Sequence, residues 1–148
     1  MTMMPWLALA VLLAAAPIPH AVAGEATVTD LLLAVKHHKT CEITTRGRVS
    51  GNPHTVTVWF VADGERVQLG TLDATRDWVR NAIVTPEVIL DFGEVAMRGT
   101  LSEVTDSDAD AEIHDALQDK YWMARLGGWF GQDPERTFSV DSLALTTD

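Results

Sequence analysis

The sequence predicts a mainly β (β+α) domain, a small barrel of about six antiparallel strands with two main helices packed outside it. Three observations predict this. Alternating apolar and polar residues dominate the chain from Thr40 onward. Hairpin signals such as Asp63-Gly64 join neighbouring runs, which makes the strand order antiparallel. Long helical spacing occurs in two stretches, and both lie between strand-like runs. A chain of 148 residues that is 47% apolar and 22% charged has the composition of one folded domain, so a disordered chain and a collagen-like repeat are excluded.

The front of the chain has to be read apart from the rest. Residues 1–35 contain no Lys or Arg, and Trp6–Ala16 is an unbroken apolar run. That run is too short for a membrane-crossing helix, which needs about 20 residues, so no integral membrane span is expected. It has the length of a signal-peptide core, and Ala21-Val22-Ala23-Gly24 supplies the small residues of a cleavage site. The expectation is therefore a signal-like segment over 1–23, a domain over 24–148, and export to the periplasm or outside the cell. The n-region lacks a Lys or Arg, and a cytoplasmic protein is the alternative.

After this segment, Asp30–Lys36 has the pattern of one or two helical turns, with Asp30 placed to cap. The period then changes to two. In Lys39–Arg46, Cys41, Ile43 and Thr45 fall on one face, and Thr40, Glu42 and Thr44 on the other. A Gly-rich break over 47–53 precedes a second β-rich run, His54–Val61, which turns at Asp63-Gly64 into a third, Glu65–Thr71. Asp73–Val84 has helical spacing and is ended by Thr85-Pro86. Val88–Phe92 and Val95–Val104 are strands joined at Gly93. Asp106–Arg125 is the clearest helix, with Ile113, Ala116, Leu117, Tyr121 and Ala124 at spacings of three and four, and acids placed early. Thr137–Leu145 closes the chain as a strand carrying Phe138, Val140, Leu143 and Leu145.

A net charge of −10 argues against nucleic acid or an anionic membrane as a partner. The sign reverses locally, since Lys36, Lys39, Arg46 and Arg48 face only Glu42. The lone Cys41 excludes an internal disulfide and reads as a small buried hydrophobe. Adjacent His37 and His38 would point to opposite faces of a strand, and Asp106, Asp108 and Asp110 lack the Gly and Glu that a calcium loop requires, so no metal site is expected. The Arg46–His54 loop is different. Gly47, Gly51 and Pro53 let the backbone turn its N–H groups toward an anion, while Arg48 adds charge and Ser50 a hydroxyl donor, as phosphate sites do.

The order of residues sharpens this reading. Glu42–Phe60 reads E-I-T-T-R-G-R-V-S-G-N-P-H-T-V-T-V-W-F, and Arg76–Asn81 reads R-D-W-V-R-N ahead of Pro86. Together they resemble the deazaflavin-dependent nitroreductase and quinone reductase family, over roughly Glu42–Val104. The resemblance implies a split β-barrel and coenzyme F420 (a deazaflavin) as cofactor, with FMN as the alternative. It implies Arg48, Ser50 and Gly51 as phosphate contacts, with His54, Trp78 and Asn81 also on the cofactor side. Two departures remove cations: Val49 stands where the family has Lys, and His54 where it has Arg. The activity implied is hydride transfer from the reduced deazaflavin to a small-molecule acceptor, a quinone, nitroaromatic or activated alkene. Tyr121, the only tyrosine, is the candidate hydrogen-bond or proton donor. Trp122, Trp129 and Phe130 are candidates for an apolar substrate wall, and the resemblance implies a homodimer. A split barrel holding FMN or a lipid-like ligand without deazaflavin catalysis, or an exported binding domain, is the other reading.

Overall fold

Residues 25–122 and 134–147 are described by a computed structural model; the segment 1–23, Trp129 and Phe130 lie outside them. The first helix, α1 (Val28–Val35), is opened by a capping box. Thr27 Oγ1 accepts from the Asp30 N–H at 3.2 Å, and the Asp30 carboxylate accepts from the Thr27 N–H at 2.9 Å. Thr27 is thus the cap, and Asp30 is its reciprocal partner rather than the cap expected.

Seven strands follow: β1 (Cys41–Arg46), β2 (Pro53–Val58), β3 (Phe60–Asp63), β4 (Arg66–Thr71), β5 (Glu87–Asp91), β6 (Ala96–Glu103) and β7 (Arg136–Leu145). Among the described residues two further helices, α2 (Asp77–Val84) and α3 (Ser107–Lys120), are inserted between them. All strand pairs are antiparallel, in the order β2-β1-β5-β6-β7-β4-β3. The run His54–Val61, expected as one strand, is divided at Trp59. Its first half pairs with β1 at one edge of the sheet, and its second half with β4 at the other. One continuous piece of chain therefore occupies both edges, which forces the sheet to curl round into a split β-barrel.

The core fills the inside of this curl. Ile43, Phe60, Val67, Leu69, Leu90, Met97, Phe138 and Val140 are fully buried, each worth about 1.5–3 kcal/mol relative to exposure. Leu32 and Val35 of α1 and Trp78, Val79 and Ala82 of α2 join the same cluster. α2 begins at Asp77, later than the Asp73 expected, because Asp73 folds back on Thr75: its Oδ1 accepts from the Thr75 N–H at 2.8 Å and hydroxyl at 2.6 Å. Asp106 caps α3 by accepting from the Ala109 N–H at 2.9 Å. Among the described residues no helix is long and apolar enough to cross a membrane.

Candidate functional site

β1 points Thr45 into the barrel and Arg46 out of it, and the chain then turns through residues 47–52 into β2. The turn is held by its own groups. The Gly47 N–H donates to the Asn52 carbonyl and the Gly51 N–H to the Gly47 carbonyl, both at 2.8 Å, and the Asn52 N–H donates to Ser50 Oγ at 3.1 Å. A Cβ at position 47 would lie 2.6 Å from Ser50 Oγ and 3.1 Å from the Asn52 carbonyl, so a side chain there would displace the Ser50 hydroxyl and crowd the turn. Gly51 has a φ of +72°, a left-handed conformation that side chains rarely adopt.

The loop is then fastened to α2. Asn81 is buried, and its Oδ1 accepts from the Arg48 backbone N–H at 3.1 Å and from Arg48 Nη1 at 2.8 Å. Its Nδ2 donates to Thr45 Oγ1 at 3.4 Å, and Thr45 in turn donates to the His54 carbonyl at 3.4 Å. One turn earlier on the helix, Asp77 Oδ1 accepts from Arg48 Nη2 at 3.0 Å. Asn81 thus joins the loop to the helix and to β1, Thr45 passes the link on to β2, and Arg48 carries a second tie to the more exposed Asp77.

Of the residues singled out from the sequence, Arg48, Ser50, Gly51, His54 and Asn81 come together here. Trp78 does not. Its side chain is buried and meets Phe138 edge to face, with ring centroids 5.7 Å apart, which is a packing position. Tyr121 lies beyond the opposite end of β1, about 17 Å away along a six-residue strand at ~3.3 Å per residue. Its hydroxyl donates to the Lys39 carbonyl at 2.6 Å and accepts from the Phe60 N–H at 3.2 Å, and its ring stacks on Trp59. Burial pushes its pKa up to about 12, so the phenol proton is held by the backbone.

Beside Tyr121, Lys120 Nζ donates to the Phe60 carbonyl at 2.8 Å and sits 3.6 Å above the Phe60 ring. Burial lowers the Lys120 pKa to about 8 and raises that of the neighbouring Cys41 thiol to about 12. Asp77, Thr45 and Lys120 were not picked out from the sequence. The spacing of four between Asp77 and Asn81 puts both on one helix face, and Lys120 lies seven residues after Ile113 and three after Leu117 on the inward stripe of α3. Those spacings were the available signals.

The donor set of the loop can be counted. Four of the six N–H groups over 47–52 are spent, those of Gly47, Arg48, Gly51 and Asn52. Those of Val49 and Ser50 find no partner among the described residues, and Ser50 Oγ, which accepts from Asn52, keeps its own proton to give. Two successive N–H groups and a hydroxyl at an exposed loop tip fit one phosphate group. The guanidinium charge of Arg48 is balanced by Asp77.

No family model matches the chain, and no curated protein matches it in sequence. Solved structures do. An F420-H2 dependent reductase superposes at a TM-score of 0.55 with 16% identity, covering 70% of this chain and 95% of that one. A FAD-binding protein from Mesorhizobium loti gives 0.55 with 10% identity, over 77% and 86% of the two chains. A structure described as a domain-swapped dimer gives 0.57 with 16% identity, over 70% and 81%. The chain thus has the split β-barrel fold seen in flavin- and deazaflavin-binding proteins, in keeping with the family that its loop and helix motifs resemble.

Proposed function

We propose that the protein is an oxidoreductase that binds a flavin or deazaflavin by its phosphate on the 47–52 loop and uses it to pass a hydride to a small acceptor. The observation that carries this reading is the exposed loop tip, where the N–H groups of Val49 and Ser50 and the Ser50 hydroxyl proton have no acceptor among the described residues, on a barrel of this fold. When bound, the ring supplies the hydride transfer. The chain's own residues bind and orient it: Ser50 and the two N–H groups grip the phosphate, Asn81 holds the loop in that shape, and Gly47 and Gly51 permit the turn. Coenzyme F420 or FMN is the cofactor in this reading, and a quinone, nitroaromatic or activated alkene is the acceptor.

Two barrels pair as a homodimer in the same reading, with the domain-swapped dimer among its structural neighbours as support, and light scattering would return twice the mass of one chain. Residues 1–23 act as an export address, so the native protein begins at Gly24 in an intact-mass measurement. The binding proposal is tested by titrating the full chain separately with F420, FMN and riboflavin and following ring fluorescence. Micromolar binding of F420 or FMN that weakens about tenfold in Ser50→Ala, with riboflavin unchanged, is expected. Absence of binding by all three ends the proposal.

A further inference from the structure

Arg48 is the cation of the loop, yet its guanidinium already has an anion. Asp77 Oδ1 sits 3.0 Å from Nη2, with the Asp77 side chain 64% exposed and Arg48 24% exposed. The loop does not need this contact to keep its shape, because Asn81 separately binds both the Arg48 N–H and Nη1 from a buried position. Asp77 therefore contributes a negative charge at the edge of a phosphate-sized donor set while the turn is held by other groups.

We propose that Asp77 is a specificity-determining residue that acts as a built-in competitor for Arg48 and so limits how much negative charge the 47–52 loop accepts. Anion binding then exchanges partners. Arg48 Nη2 leaves the Asp77 carboxylate for a phosphate oxygen, with Asn81 retaining Nη1 and the backbone N–H. The affinity for phosphate is the difference between the two pairings. Removing the competing charge raises it, by about fivefold at low ionic strength for unit charges about 4 Å apart in the water-like dielectric around the exposed Asp77 carboxylate, and less as salt rises. Val49 acts in the same direction, since the loop tip presents this exposed apolar side chain and the 47–52 sequence has no second cation to outbid the carboxylate. The inference rests on the phosphate-binding reading of the loop and adds the residue that tunes it.

The test compares the full chain with its Asp77→Asn variant, using inorganic phosphate as the probe and the backbone amide resonances of Val49 and Ser50 as the readout. Asparagine keeps the side-chain size and an acceptor for Arg48, and thermal melting of both proteins checks that the loop and helix remain. The expected result is a shift of both amides, with phosphate bound about fivefold more tightly by the variant in low salt and the gain shrinking toward unity in high salt. FMN follows the same trend, and riboflavin, which has no phosphate, is unaffected. Equal or weaker phosphate binding by Asp77→Asn overturns the inference, since it would make Asp77 a positioner of Arg48 instead. Phosphate that moves neither amide in either protein overturns it too. Failure of FMN and riboflavin to bind while phosphate behaves as expected removes the flavin reading and leaves the role of Asp77 standing.

Discussion

Asn81 is the buried side chain that fastens the 47–52 loop to α2 and β1. It is 3% exposed, its oxygen accepts two hydrogen bonds and its nitrogen donates a third, so every bond it makes is inside the protein. Asn81→Ala leaves the Arg48 N–H and Nη1 without their acceptor and the Thr45 hydroxyl without its donor, and is expected to cost about 2–3 kcal/mol in urea unfolding. Lys120 makes a prediction of a different kind. Its pKa falls from 10.5 to about 8 on folding, so the unfolded chain holds the proton over the higher pH range and stability rises as pH climbs past about 8. Cys41 and Tyr121 act oppositely. Their folded pKa values, both about 12, exceed the ordinary 9.0 and 10.0, so they lower stability as pH climbs past about 9 and then 10. Stability is expected to peak near pH 9, and Lys120→Met is expected to remove the rise while leaving the fall, as read from denaturation midpoints across pH 7–11.

At the level of elements, β7 shows how an irregularity in a strand can be written in its spacing. Arg98 faces Ala144 and Thr100 faces Asp141, so β7 spends one residue more than β6 across the same distance. The extra residue is a β-bulge, and Ser142 within it has a φ of 53°. The buried positions Phe138, Val140 and Leu143 step by two and then by three, which is the trace of that bulge in the sequence. A left-handed serine is strained where glycine is not, so Ser142→Gly is expected to stabilise the protein by about 0.5–1 kcal/mol in thermal unfolding, less the entropy glycine adds to the unfolded chain. Helix starts depended on side chains that spacing does not rank: α1 opens at Thr27 rather than Asp30. α2 starts four residues after Asp73 because the Asp73 side chain satisfies Thr75 instead of opening a helix, a competition that helical spacing does not reveal.

For the whole molecule, the decisive event is the bend at Trp59, which sends a single run of chain from one edge of the sheet to the other. Trp59 stacks on Tyr121, while Lys120 and Tyr121 both bond to Phe60, so the end of α3 is docked on that bend. The five strands paired on both sides, β1, β5, β6, β7 and β4, each with a buried face, are expected to show the slowest amide hydrogen exchange, and the loop over 47–52 to exchange faster. Alternation, turn residues and the Gly-Arg-x-Ser-Gly loop were legible in the sequence because each depends on neighbours a few positions away. Local chemistry settled the strands, the Asp63-Gly64 hairpin, the amphipathic helices and the capacity of the loop to turn its N–H groups outward. Only the folded barrel decided that Arg48 would meet Asp77 and Asn81, that Trp78 would face Phe138 in the core, and that Tyr121 would sit at the far end of β1. Those outcomes depend on register and closure between segments tens of residues apart, and a side-chain pattern along one strand or helix contains no information about which distant surface it will meet.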